Sequence, residues 1–493
     1  MPAPRAPLER VIVIGGGTTA LLCACTLKKA VPHAHVILIP APVDRSALAD
    51  HCHSGTPEVV RYHEKLGLDA AMVLRRAEGT HRLATRFEGW NAAAPFTIGY
   101  GAAPDPAGEP SFRAGWMSRA PDPDSTGGSI SVAAALAIKD LFALPSDDAT
   151  SPFADLDYAL RFDPDAFRRG LQALARHMDV ELIPSGLRSV NLRSDGAIDG
   201  IGTTDGHGFA ADLYFDCAGM DALASRMPGS RDWVDWSGRL PVDRILPGPE
   251  RTAAPSPLDE VVAQEAGYRL ISPGRASAHM IYCYASALID DEAAARSIGA
   301  QAADAISLKA GRAAEAWTHN LIRIGDSAAA FEPLGWLNLH HAVKQLELLA
   351  ALLPGRDIEP LERQEFNRRA AMLADRIADF IAAHHCRAAG GKTAFEKHCA
   401  GLARSPTLSR TLDEFVRRGR LPHHDDEAVP RDLWWQLLAA LGVGPGPAAR
   451  LLALPPASLD ERRRAHEHRV AAALAQAPLY REWLAAALGA TRT

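Results

Sequence analysis

The sequence predicts an α/β fold with a parallel, dinucleotide-binding sheet, an antiparallel second sheet and a helical C-terminal part, and three observations carry that prediction. The first is a strand, glycine turn and helix near the N-terminus: Val11-Ile12-Val13-Ile14, then Gly15-Gly16-Gly17-Thr18-Thr19-Ala20, then an Ala/Leu/Cys run. The second is a pair of later apolar runs, residues 211–219 and 321–326, that each end in small residues. The third is helical patterning from about Gln364 onward, broken at Leu421-Pro422, at residues 442–447 and at Pro455-Pro456.

The elements follow in order. Val11 to Ile14 are all apolar, the signature of a strand buried on both faces of a parallel sheet. Gly15 permits the tight turn, Gly17 lets the backbone approach a pyrophosphate, and Ala20 is small enough for close helix packing. Thr18 and Thr19 open the helix, whose N-terminal amides face the phosphates. Val36-Ile37-Leu38-Ile39 comes next at the spacing of a βαβ unit. The acidic residue that normally follows to bind ribose hydroxyls is replaced by Pro40-Ala41-Pro42, with Asp44 the nearest substitute. Ala211-Asp212-Leu213-Tyr214-Phe215-Asp216-Cys217-Ala218-Gly219 reads as another buried strand, placing Gly219 near the cofactor. Leu321-Ile322-Arg323-Ile324 runs into Gly325-Asp326, where a carboxylate can accept hydrogen bonds from a flavin's ribityl chain; the helix after Pro333 points its N-terminus toward the ring. Asp326 alone reads better as a turn or cap residue, but three such strand ends together favour a dinucleotide site. Residues 278–285 alternate as an antiparallel strand, and residues 102–110 and 121–128 read as surface loops or a lid. This organisation gives residues 1–363 to a dinucleotide module with an interleaved sheet and 364–493 to a helical subdomain.

Composition excludes several classes. The 493 residues carry 53 basic and 59 acidic side chains, a net charge of −6, so there is no electrostatic footprint for nucleic acid or a polybasic membrane anchor. No apolar stretch reaches the ~18 residues of a membrane span, and the polar lead before Val11 is not a signal peptide, which predicts a cytoplasmic protein. The seven cysteines form no CxxC and read as buried thiols. No metal is expected: His51 and His53 share a face if extended, but no third ligand follows at a clear spacing. His384-His385-Cys386 reads as structural, His423-His424-Asp425-Asp426 as a polar loop, and Arg462-Arg463-Arg464 as a solvated helix face. Broad Ala/Leu faces on the C-terminal helices permit a homodimer.

Beyond the glycine turn, the chain resembles the flavin-dependent tryptophan halogenase family, colinearly over nearly its whole length. The blocks that carry the resemblance are Tyr62-His63-Glu64-Lys65-Leu66-Gly67-Leu68-Asp69, Arg86-Phe87-Glu88-Gly89-Trp90, Phe162-Asp163-Pro164-Asp165-Ala166-Phe167, Asp216-Cys217-Ala218-Gly219, Ile324-Gly325-Asp326, Phe331-Glu332-Pro333-Leu334, Phe380-Ile381-Ala382-Ala383-His384-His385 and the region of Trp434. The resemblance implies a glutathione-reductase-like FAD-binding Rossmann module, an antiparallel substrate-side sheet and a helical C-terminal subdomain. It also implies FADH2 from a separate flavin reductase, since no second glycine fingerprint for a nicotinamide cofactor is present. The cofactor-binding set is then Gly15, Gly17, Thr18, Thr19, Ala20, Gly219, Asp326, Pro333 and Asn338.

The chain departs from the family at its working positions. Halogenases of this kind make hypohalous acid from halide, reduced flavin and oxygen, and deliver it through a tunnel to a catalytic lysine. Counting back from Arg86-Phe87-Glu88, that position here is Arg82, in Gly79-Thr80-His81-Arg82-Leu83-Ala84. A guanidinium stays charged at every accessible pH and does not readily become a haloamine. The family glutamate becomes Gly335, followed by bulky Trp336 and Leu337, and then Asn338, where small residues would admit halide. The GWxWxIP signature reads Gly267-Tyr268-Arg269-Leu270-Ile271-Ser272-Pro273, and the GEATIP-like flavin strap reads Cys52-His53-Ser54-Gly55-Thr56-Pro57. Histidines and an arginine stand in or beside these positions, so Arg82, His81 and His53 are the candidate catalytic residues, imidazole supplying a base or proton shuttle near neutrality. His81 and Arg82 alternate along a strand, so only one should face the tunnel. The expected function is an FAD-dependent, halogenase-like oxidoreductase or monooxygenase acting on an aromatic or amino-acid-derived small molecule without the lysine route. The alternatives are a halogenase with a remodelled site using Arg82, and an inactive flavin-binding accessory protein.

Overall fold

The structure, a computed structural model, describes residues 6–90, 95–101, 131–219, 223, 232–252, 255–386, 393–422, 424, 427–444, 446 and 456–489. The segments 102–110 and 121–128, expected as loops or a lid, lie outside the described residues, as do His423, Asp425, Asp426 and Pro455. The chain divides into two units of three segments each: Met1–Ala77, Phe162–Ser237 and Ile306–Ile377 in the first, and Glu78–Arg161, Gly238–Ala305 and Ala378–Thr493 in the second. A break at residue 363 does not describe this division. Residue 363 lies inside the helix Pro360–His385, and the second sheet's strands come from chain segments that alternate with those of the first unit.

The first unit is built on a six-stranded sheet. β1 (Arg10–Ile14) pairs in parallel with β2 (His35–Ile39) on one side and with the strand Leu213–Asp216 on the other. Beyond these lie Leu321–Arg323, parallel, and then the antiparallel edge strand Trp317–Thr318, with Glu181–Leu182 on the opposite edge. The four apolar residues of β1 are buried because both faces are covered. On one face Ile12, Ile14, Ile37, Ile39, Tyr214 and Leu321 form one core cluster with Ile198 and Ile201. Each such side chain contributes about 1.5–3 kcal/mol by leaving water. Between the strands runs α1 (Thr18–Ala30), whose residues Thr18 to Leu27 are all buried. After β2 the chain enters a short helix, α2 (Leu48–His51).

The second unit contains an antiparallel-rich sheet. Six of its strands run in the order Arg244–Pro247, Ser277–Tyr284, Gly267–Pro273, Leu258–Gln264, Ala84–Glu88 and Phe96–Gly99, and among these the pairing of Leu258–Gln264 with Ala84–Glu88 is parallel and the others antiparallel. Residues 278–285 behave as their alternation predicts, forming the eight-residue strand Ser277–Tyr284. A separate two-stranded ladder joins Thr80–Arg82 to Ala159–Arg161. C-terminal helices Pro406–Arg418, Arg431–Ala440, Pro456–Gln476 and Tyr480–Gly489 complete the unit.

Candidate functional site

In the first unit the glycine turn forms a cradle at the C-terminal end of β1. Gly15 has a φ of +151°, and an added Cβ there would lie 2.8 Å from the Ala20 Cβ and 2.9 Å from the Cys217 carbonyl oxygen, so the turn admits glycine alone. Gly17 is the N-cap of α1 and brings no side chain to the first-turn amides, and the first turn of α1 holds no acidic residue. That deficit is met from a distance: the Asp50 carboxylate on α2 accepts a hydrogen bond from the Thr19 backbone amide at 2.7 Å. It sits so close that a Cβ on Gly17 would overlap it. Asp44, the sequence's substitute for a ribose-binding acid, instead accepts from the Ser46 amide and hydroxyl at 2.8 and 2.9 Å and packs against Gly219.

Asp326 follows the parallel strand Leu321–Arg323, in the short turn Gly325–Ser327. Its Oδ2 accepts from the Ala49 amide at 2.8 Å, while Oδ1 is buried without a hydrogen bond among the described residues. Burial, and then the nearby carboxylates of Asp50 and Asp44, push its pKa up to about 8. Asp50, equally enclosed, is also raised by burial, against the lowering effect of its Thr19 bond. After Pro333, Gly335 and Trp336 both adopt left-handed backbone, φ +74° and +61°, before the helix Leu337–Ala351 begins. A tryptophan in that region is strained, and its ring is held edge-on to His53 at 6.4 Å. Asn338 donates Nδ2 to the Phe331 carbonyl at 2.9 Å, leaving its buried Oδ1 without a hydrogen bond among the described residues. Near these, His340 Nδ1 lies 2.8 Å from Thr56 Oγ1 and 3.7 Å from Glu58 Oε2.

These features fit a flavin dinucleotide chemically. The glycine turn and α1 amides suit an anion, and the orphaned acceptor on Asp326 suits a hydroxyl-bearing chain.

Arg82, His81 and their neighbours belong to the second unit. The alternation along Thr80–Arg82 holds, but both faces are buried. His81 is boxed by Phe142, Trp483 and Tyr158 at ring separations of 4.3, 5.0 and 5.1 Å, and its backbone amide donates to Tyr480 Oη at 2.6 Å. Burial, with the Arg161 charge nearby, lowers its pKa to about 3, so the imidazole is neutral near pH 7. Arg82 Nη1 donates to Asp259 Oδ2 at 3.0 Å, and Nη2 donates to Tyr100 Oη. Arg161 Nε donates to the other Asp259 oxygen at 2.8 Å, joined there by Ser272 Oγ at 2.8 Å. Two guanidiniums thus share one carboxylate in a region closed to water, all three side chains being at most 3% exposed.

Sequence reasoning named Arg82, His81 and His53 but missed Asp50, Asp259 and Arg161. Asp50 lies 31 residues from its helix amide and Asp259 177 residues from Arg82, so no local spacing announces either.

The second unit also holds a cavity of about 30 Å³ lined by Trp90, Gly267, His384, His385, Phe395 and Cys399 among others, too small for an aromatic substrate. His384 there hydrogen-bonds the Phe380 carbonyl and packs on Phe87, a structural role. Among the described residues no group of three or more His, Cys, Asp or Glu is arranged to hold a metal ion, and no helix is long and apolar enough to cross a membrane.

A parallel sheet, a glycine turn opening a buried helix and a carboxylate after the strand Leu321–Arg323 define a dinucleotide-binding fold. The tryptophan halogenase family model matches residues 10–457, and the chain belongs to that family of flavin-dependent enzymes. It is similar to tryptophan 7-halogenase KtzQ of Kutzneria sp. (strain 744), 24% identical over 96% of this chain and 98% of that protein. Its fold superposes on BrvH, a flavin-dependent halogenase from Brevundimonas sp. BAL3, with a TM-score of 0.86 at 25% identity, covering 97% of this chain and 99% of that one. Xcc4156, a flavin-dependent halogenase from Xanthomonas campestris, gives the same TM-score at 23% identity over 99% of this chain and 100% of that one.

Proposed function

We propose that this protein is an FAD-dependent oxidoreductase that uses FADH2 from a separate reductase, together with oxygen, on an aromatic or amino-acid-derived small molecule, by a route other than the lysine-dependent one. The carrying observation is Arg82: at the position where the family resemblance expects a reactive amine stands a guanidinium engaged by Asp259 and Tyr100. Its protonated, delocalised nitrogens are poor nucleophiles and, at neutral pH, poor proton donors. In this reading Arg82 is a positioning residue and His81, neutral in its aromatic box, shapes the wall rather than moving protons.

Gly15, Gly17, Gly219 and the amides of Thr18, Thr19 and Ala20 would hold the pyrophosphate side of the cofactor, Asp326 the ribityl side, and Pro333 and Asn338 the ring side. Reduced flavin, when bound, supplies the two electrons that activate oxygen. His53 and the His340–Thr56 pair remain the proton-handling groups of the first unit, the latter able to pass a proton between Nδ1 and Oγ1 across 2.8 Å.

A second reading, a halogenase with a remodelled site, is favoured by the family match itself. Incubating the protein with a flavin reductase, FAD, oxygen and a panel of indoles and aromatic amines, with and without bromide, and weighing the products, separates the two. Oxygenated or dehydrogenated products independent of bromide support the proposal. Brominated products, lost on Arg82→Ala in a folded protein, overturn it in favour of the second reading.

A further inference from the structure

The helix Leu337–Ala351 carries a buried polar stripe within the first unit. Asn338, His341 and Gln345 stand at positions i, i+3 and i+7, on one face of the helix, and all three are at most 2% exposed. Asn338 opens the stripe at the helix N-terminus, where the FAD reading above puts the flavin ring, and Gln345 Oε1 accepts from the Gly325 amide at 2.8 Å. The residue between them is the one left over. Neither ring nitrogen of His341 has a hydrogen bond among the described residues, and Phe331 meets the imidazole edge-on at 5.2 Å. Asn338 Oδ1 shares that condition, its Nδ2 being spent on the Phe331 carbonyl.

Burying such atoms without partners costs about 1–3 kcal/mol each, and a remedy lies beside them. A cavity of about 10 Å³, room for about one water molecule, is lined by buried His341 and Gln345 and by half-buried Arg312, Asn367 and Ala371, which mark its outer end. Arg312 is spent on Asp375 at 3.1 and 3.2 Å, and Asn367 on the Trp317 backbone amide and carbonyl at 2.7 and 2.9 Å. His341 is not spent. Burial, and then the neighbouring His340, lower its pKa to about 3, so near pH 7 the ring is neutral, with one nitrogen to accept and the other to donate.

We propose that His341 is a proton-relay residue: water in this cavity bonds one ring nitrogen, and a proton arriving there is matched by one leaving the other, toward Asn338 at the flavin end of the stripe. The inference rests on the FAD reading above and adds to the His340–Thr56 pair a route that starts at solvent. The ring gains one proton and loses one, ends as its other tautomer and is reset by the reverse shift. In the overall reaction FADH2, oxygen and a substrate S give FAD, SO and water; the two electrons pass to oxygen, the two hydrogens of that water balance the two lost by FADH2, and the relay lets those protons exchange with solvent.

The first test needs no cofactor. In apoprotein carrying histidine labelled with heavy nitrogen, the His341 ring N–H is assigned by its loss in His341→Gln, and its exchange with water is followed by NMR. Wild type should exchange rapidly, and Ala371→Leu, which puts a larger side chain at the outer end of the cavity, should slow that exchange about tenfold or more. The second test mixes protein and FADH2 with oxygenated buffer. Glutamine still hydrogen-bonds water but has no second ring nitrogen to pass a proton on, so flavin bound to His341→Gln should reoxidise about tenfold or more slowly than in wild type. The variant should also show the larger slowing in heavy water, because proton delivery then limits the rate, a signature that a purely structural role would not give. Should His341→Gln misfold, Ala371→Leu carries the kinetic test. A His341 N–H without exchange with water, or one that Ala371→Leu leaves unchanged, overturns the inference and leaves the FAD reading intact, as does reoxidation at the wild-type rate in both variants. Wild-type protein that leaves FADH2 reoxidation as it is in free solution defeats the FAD reading and the relay with it.

Discussion

Removing Asp259 should cost far more than removing either arginine it serves. With the carboxylate present, Arg82 and Arg161 share it, and Ser272 and Tyr100 complete the hydrogen bonds. Asp259→Ala takes away the carboxylate that two buried guanidiniums share, for which the expected cost is about 3–5 kcal/mol. Arg82→Met leaves the Arg161–Asp259 pair intact at 2.7 Å, with one charge of each sign and a side chain of comparable volume, so it should cost about 1–2 kcal/mol. That asymmetry can be read in urea unfolding followed by tryptophan fluorescence, with the double variant closing the cycle. Because Arg82→Met already removes one of the two buried charges, the double variant should be less destabilised than the two single costs added together. Equal costs for the two single variants, or a loss below about 1 kcal/mol for Asp259→Ala, would refute the argument that this carboxylate neutralises a shared buried charge.

Other outcomes follow from the same geometry. His63, His81, His341 and His384 are held near pKa 3 by burial; their folded values lie below the unfolded one, so their contribution is present above about pH 6.5 and is lost as pH falls. Stability should drop by about 1 kcal/mol per histidine over the unit below pH 6.5, about 4 kcal/mol in all, and a flat pH–stability curve from 6.5 to 5.5 would contradict it. Asp326, raised to about 8, has the opposite sign: its favourable contribution is present below about pH 4 and is lost as pH rises through 8. Asp326→Asn should therefore melt higher than wild type at pH 8 and gain less at pH 5, and an equal shift at both pH values would count against it. Arg82→Lys keeps one charge but cannot reach Asp259 and Tyr100 together with a planar fork; it should lower stability by about 1 kcal/mol. A bromination activity appearing in that variant alone would mark the arginine as what silences the lysine route.

Much of the scaffold is legible in the sequence because it is written in local pattern. Four mainly apolar runs, at 11–14, 36–39, 213–216 and 321–323, the last two ending in Asp216 and Arg323, become four adjacent parallel strands, since a run without polar alternation has to be covered on both faces. Gly15 is legible for the same reason: the turn admits no Cβ. What the local pattern does not carry is who meets whom at long range. Arg82 finds Asp259 across 177 residues and the His81 amide finds Tyr480 across 399, and single polar residues in strands or loops look alike whether they face solvent or a buried partner. Asp50 is the sharpest case. Helix caps are normally read from the residue just before the helix, where this chain has only Gly17, and nothing in Leu48–His51 signals a cap for a helix that begins thirty residues earlier.

The most direct test of the functional account is flavin reoxidation. Anaerobic protein with FADH2 is mixed with oxygenated buffer in a stopped-flow instrument, with and without bromide, and flavin absorbance is followed. The account predicts that the protein alters the time course of reoxidation relative to free FADH2 and that bromide leaves that course unchanged. A bromide-dependent acceleration would contradict it and return the chain to halide chemistry, with Arg82 as the residue to explain.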